Sequence, residues 1–268
     1  MAFNPAFGKN AFTPAAPPAP TAEQQAAMSP EALQELYNRP SATPVETERM
    51  SYDGVIVKTA LTLALVVAGA VVGFLMPTIG FVGAIIGFVL ALVNIFKRQP
   101  SPVLVLLYAG FQGLAVGAIS WMVQVGMNQP GIIWQALLGT GLVFGVTLAL
   151  FATGKVRESK RATKVFIIAG IAYALFSVIN LVVMLTGVND DPWGLRSVEV
   201  FGIPLGLILA PIIILLAAYS LVMDFSEIKR GVDGGAPKVM EWRGVFGLVL
   251  TIIWLYIEIL RMLSIARN

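Results

Sequence analysis

The chain has 268 residues, 57% of them hydrophobic and only 12% charged, with a mean hydropathy of +0.82. A soluble domain carries roughly 25% charged residues to wet its surface, so a soluble globule is excluded and lipid must be the solvent for most of this chain. Cys and His are both absent and the formal charge is only +3, which excludes disulfides, Cys/His zinc sites, thiolate catalysis and imidazole pH switching, and gives no reason to expect nucleic acid.

Residues 1–54 form a separate regime, rich in Ala, Pro, Gln and Glu. The run Pro14-Ala15-Ala16-Pro17-Pro18-Ala19-Pro20 favours an extended, solvated chain. One short helix is expected within it, capped by Ser29, carrying Leu33, Leu36 and Tyr37 on one face and stopped by Pro40. The composition predicts a largely disordered cytoplasmic tail, with a docking peptide for a partner as the sharper reading. No apolar segment of signal-peptide type opens the chain, so the first hydrophobic span is expected to direct insertion.

Hydrophobic runs follow from residue 55, each near the ~20 residues that cross a bilayer. They predict seven spans, at 55–76, 78–96, 102–125, 131–152, 164–187, 201–223 and 244–264: an all-α bundle over residues 55–268. Almost nothing separates the first two, which predicts a tight helical hairpin. The links after spans two, four and six hold eleven Lys and Arg, among them Lys97, Arg98, Lys155, Arg157, Lys229 and Arg243; those after spans one, three and five hold only Arg196. By the positive-inside rule the N-terminus is cytoplasmic, and seven crossings put the C-terminus outside. The expected location is the plasma membrane.

Small residues four apart predict where helix backbones approach closely: Gly69/Gly73, Gly83/Gly87, Gly113/Gly117, Gly141/Gly145 and Gly202/Gly206. Pro204 and Pro211 in span six each remove a backbone donor and predict a bent or broken helix there.

Ionisable groups inside the spans are few, which makes each one informative. Lys58 can extend its amine to the headgroups. Asp224 lies at the inner end of span six. Glu258 is the one carboxylate deep in a span, and it must be protonated, paired or facing a polar cavity; Arg261, three residues on, is its nearest partner in sequence. Among neutral groups, Gln112 lies mid-span between Gly110 and Gly113 and needs a partner in a neighbouring helix. Hydrolase, Walker and dinucleotide motifs are all absent, so no enzyme activity and no cofactor are expected.

Three stretches carry a family resemblance: Met50-Ser51-Tyr52-Asp53-Gly54-Val55-Ile56-Val57-Lys58-Thr59; Gly113-Leu114-Ala115-Val116-Gly117-Ala118-Ile119-Ser120; and the segment from Asp224-Phe225-Ser226-Glu227-Ile228 through Gly235 to Arg243 and on to Trp254-Leu255-Tyr256-Ile257-Glu258-Ile259-Leu260-Arg261. From Met50 onward the chain resembles the Bax inhibitor-1 family. The resemblance implies one central helix surrounded by six, and a pH-sensitive calcium leak gated by a carboxyl pair on the sixth and seventh helices. Asp224 matches the first of the pair, and Glu258 the second through Leu-Tyr-Ile-Glu. Glu258 lies about 20 Å along its helix from the inner end, at ~1.5 Å per residue, out of reach of an Asp224 at the inner edge. Glu241, beside Arg243, is therefore the nearer partner. Gln112 stands where relatives carry glutamate, which implies a weakened cation pathway through span three.

Two functions follow as expectations. One is a pH-modulated cation leak that holds Ca²⁺ only weakly, since few carboxylates are at hand. The other is a non-conducting regulator that uses residues 1–54 to bind a membrane protein, such as a membrane protease.

Overall fold

The computed structural model describes residues 48–187 and 191–267. The helix expected around Ser29–Pro40 lies outside them. Seven long helices form the bundle: α1 (Tyr52–Leu75), α2 (Pro77–Phe96), α3 (Pro102–Trp121), α4 (Ile132–Ala152), α5 (Lys160–Leu185), α6 (Leu205–Asp233) and α7 (Glu241–Arg267). All seven are long and apolar enough to cross a membrane. Together they make a multi-pass, all-α membrane protein. Leu61, Phe81, Leu138, Leu142, Ile168 and Leu175 are exposed on its flanks, as lipid-facing positions should be.

The helices begin where the sequence supplies starts. Ser51 caps α1 by accepting from the Gly54 N–H at 3.0 Å, and Ser159 caps α5 through the Ala162 N–H at 3.2 Å. Pro77 and Pro102 open α2 and α3, where the missing N–H would have had no helical partner anyway. Helix α3 ends in one π turn, Met122–Gly126.

Helix α7 is the centre. Seventeen of its 27 residues are buried, and α1, α3, α4 and α6 lie against it. Helices α1 and α2 are joined by Met76 alone, as tightly as expected, yet both lie chiefly along α3 rather than on each other. Close approach explains this. A Cβ on Gly73 would sit 2.1 Å from the Leu114 carbonyl oxygen, and one on Gly117 2.0 Å from that of Ala70. Gly83 and Gly87 serve the α2–α3 contact in the same way. The other two expected pairs do not pack as pairs, although Gly206 alone lies close against Ile265 of α7. Added carbons at Gly141 and Gly145 meet nothing within 4 Å, and Gly202 stands outside the helix in a turn at φ +78°.

Span six differs most from expectation. Residues 199–204 form a small hairpin, Glu199–Val200 (β1) paired antiparallel with Ile203–Pro204 (β2), whose tip Phe201 is wholly exposed. Pro204 therefore precedes α6, and Pro211 is the one proline inside it. The helix runs through Pro211 unbroken. At its other end it continues ten residues past the apolar run, because Lys229 pairs with Asp233 and Arg230 with Glu227 along the helix.

The α6–α7 link is held by the extended residues just before α1, where Arg49 bridges to Pro237. The Met50 N–H donates to the Ala236 carbonyl and the Lys238 N–H to that of Glu48, both at 2.7 Å. This end of the bundle, which also carries Lys97, Arg98 and Lys155, is the basic end.

Candidate functional site

Of the four carboxyl groups buried among the described residues, Glu227 of α6 pairs with Arg230, and the other three mark three levels along α7. At the basic end, Glu241 begins the helix and is wholly buried. The Ser51 N–H and hydroxyl donate to its Oε1 at 2.9 and 3.2 Å, and Lys58 donates to Oε2. Gly54 makes room for that carboxylate, since a Cβ there would fall 2.3 Å from Glu241 Oε1. Lys58 is thus an ion-pair partner, not a side chain extended to the headgroups. Two residues on, Arg243 donates from Nη2 to the carbonyls of Lys97 and Arg98, both at 2.8 Å. One turn of α7 therefore fastens both the start of α1 and the α2–α3 link.

About 15 Å further along α7, at ~1.5 Å per residue, is the second level. Thr251 donates to Asp224 Oδ2 at 2.7 Å, and Ser220 Oγ lies 3.3 Å from Thr251 Oγ1. With the Thr251 proton directed to Asp224 Oδ2, Ser220 is the donor to Thr251, and the three oxygens form a chain. Asp224 is wholly buried. It also sits deeper than expected: because α6 ends at Asp233, Asp224 is about 14 Å in from that end. The seventh-helix group that meets Asp224 is a hydroxyl. Glu241, expected there, is held at the level below.

The third level lies toward the opposite end. Glu258 Oε2 accepts from Tyr173 Oη and Arg261 Nη1, each at 2.7 Å, so the pairing expected from sequence forms. Arg196 donates to Tyr173 Oη at 2.7 Å and to Ser177 Oγ at 3.2 Å. Its guanidinium stacks over the Tyr173 and Phe176 rings. Burial first, and the neighbouring Arg261 charge second, pull Arg196 below the usual arginine range. This network ties α5, α7 and the Gly194–Ser197 turn together.

Gln112 is on none of these levels. Its side-chain oxygen lies against Gly87 of α2, 2.6 Å from where a Cβ would be, on the side of α3 that faces α2. The other neutral groups act between segments: Asn94 bridges to the Leu104 carbonyl, Ser120 meets Tyr256 Oη at 2.8 Å, and Asn180 accepts from the Leu195 N–H at 2.7 Å.

Sequence reasoning missed Thr251, Tyr173 and Arg196 as members of these clusters. A threonine in an apolar run carries no charge to flag it, and Tyr173 is 85 residues from its carboxylate. Among the described residues no three acidic side chains converge on one point. A hard cation such as Ca²⁺, which takes six to eight oxygens, would find no ready cluster of carboxylates among them.

A family model described as "Bax inhibitor 1 like" matches residues 4–268. No curated protein and no solved structure matches the chain.

Proposed function

From the premise that the chain belongs to the Bax inhibitor 1 like family, we propose that it is a pH-modulated cation leak for Ca²⁺ whose proton-sensing gate is Asp224. The membrane is the plasma membrane, with the basic end cytoplasmic by its excess of Lys and Arg. The observation that carries the reading is a wholly buried carboxyl at mid-bundle, held by a hydroxyl from the central helix. Ionisable groups at membrane depth are expensive and mark pathways and proton relays.

The gate differs from a carboxyl pair in one respect. Two facing carboxylates open by mutual repulsion and release protons in coupled steps. With Thr251 opposite, there is no second charge on α7 at this level to repel. Deprotonation instead places a new negative charge in a closed, dry packing, which disfavours that packing. Water and cations then enter as α6 and α7 separate. Flux rises with pH as Asp224 loses its proton.

The test is Ca²⁺ entry into liposomes holding the purified chain, compared between about pH 6 and pH 8. Asp224→Asn should hold flux low and independent of pH. Thr251→Asp should restore a pair and broaden the profile into two steps. No flux above empty liposomes sinks the leak, and an unchanged profile in Asp224→Asn sinks the gate.

The adaptor reading is favoured by one observation. The residues that end the N-terminal tail are bonded to the α6–α7 link and, through Ser51, to Glu241. A partner on the tail would thereby act on the start of α7. Removing residues 1–46 should abolish partner recovery while flux persists.

A further inference from the structure

Helices α5 and α6 part at the basic end, leaving a cleft of about 520 Å³ between them and the end of α4. Its apolar lining comes from Phe151 and Ile167, and its polar lining is dominated by Arg157, Lys160, Lys164 and Lys229. The two acidic groups that also line it, Glu158 and Asp233, are already engaged. Asp233 holds Lys229 at 2.7 Å, and Glu158 lies 3.0 Å from Arg230. Among the described residues, Arg157, Lys160 and Lys164 have no carboxylate within ion-pair distance, and Arg157 rests over the Phe151 ring. Three cations thus stand without a countercharge in one cleft.

The site is placed where a membrane presents phosphate. Lys160 and Lys164 occupy the first turns of α5, at the headgroup level of a spanning helix. The positive end of the α5 dipole adds to their field. Beyond them the helix surface turns to Val165 and Ile168, both well exposed. Nearly one turn beyond Ile167 on the same side of α5, a Cβ on Gly170 would meet nothing within 4 Å, so open space lies beside the helix there. Cations at the mouth and an apolar floor open to lipid match a molecule with a phosphate at one end and hydrocarbon at the other. Basic pockets between spanning helices bind anionic lipid headgroups on these grounds.

We infer that the cleft between α4, α5 and α6 is a binding site for an anionic phospholipid. The lipid phosphate is held by Lys160, Lys164 and Arg157, and an acyl chain lies over Phe151 and Ile167. A free phosphate would satisfy the cations but would leave that apolar floor uncovered. The inference stands apart from the leak, since none of these residues lies on the three carboxyl levels.

The test uses the full chain purified in a neutral detergent, with the melting temperature followed as phosphatidylglycerol or phosphatidylcholine is added. Phosphatidylglycerol should stabilise in a saturable way and phosphatidylcholine should not. Lys160→Ala/Lys164→Ala should weaken phosphatidylglycerol binding about tenfold or more. Lys97→Ala/Arg98→Ala removes equal charge from exposed positions at the same end and should leave it nearly unchanged. Equal loss in both double variants would overturn the site in favour of diffuse surface charge. Equal stabilisation by the two lipids, or by inorganic phosphate alone, would overturn the assignment of an anionic lipid. Both double variants change exposed side chains, and a melting temperature without added lipid equal to that of the parent confirms that each is folded.

Discussion

Helices α1 and α5 are equally apolar, each reaching a mean hydropathy of 2.4 over its best span, yet they are held in the bundle by different means. Helix α1 lies against α3 through glycines whose missing Cβ lets backbone touch backbone. Helix α5 buries only Thr163 and Asn180. It is pinned near each end by polar side chains: Thr163 to Tyr219 at the basic end, Tyr173 to Glu258 and Asn180 to the Leu195 N–H toward the other. In lipid there is no hydrophobic force to press one apolar helix on another, so small residues and hydrogen bonds decide who packs. Hydropathy places both helices in the membrane and says nothing about which of them is mobile.

The largest effect should come from breaking the glycine contact. Gly117→Val sets a branched side chain 2.0 Å from the Ala70 carbonyl and 2.7 Å from the Phe74 nitrogen. Both are backbone atoms that cannot rotate away. A destabilisation of about 3 kcal/mol is expected, read as loss of the monodisperse peak and a fall in melting temperature; an unperturbed protein would mean α1 and α3 are not packed this way. Next comes Tyr173→Phe, which removes the hydroxyl joining Glu258, Arg196 and Arg261. Global stability should fall by only about 1–2 kcal/mol, while hydrogen exchange in the second half of α5 rises selectively. Since the chain has no cysteine, a Cys pair introduced across α5 and α6 reports the same loosening without background. Uniform exchange in parent and variant would contradict the pinned-helix account. The smallest effect should be that of Gly141→Ala/Gly145→Ala, where the new methyls meet open space. Better helix propensity should leave the melting temperature unchanged or slightly raised, and a clear loss would reveal a contact at this face.

The carboxyl levels along α7 were legible only in part. Asp224 and Glu258 stand out as carboxyls in apolar runs, and the Glu258–Arg261 pair follows from three-residue spacing on one helix. Which group faces Asp224 is a question of how α6 is registered on α7. That register depends on α6 beginning after the 199–204 hairpin and ending at Asp233, and charge pairs, not hydropathy, carry the helix to Asp233. A window that weighs only apolarity stops at Met223 and misplaces Asp224 by about two and a half turns. Glu241 was found by sequence, but its partners Ser51 and Lys58 lie more than 180 residues away and were not.

What the sequence determined by itself is the solvent, the number of crossings and the excess of basic residues at one end, because these depend on composition summed over stretches of about 20 residues. It also determined which few groups would be costly to bury. Tertiary structure alone decided that α7 is central, that three of five glycine pairs are used, and that Thr251 rather than a carboxylate meets Asp224. Those outcomes turn on which helix faces meet, at the scale of single Cβ atoms and hydroxyls, and a local hydrophobic run holds no record of its distant neighbour.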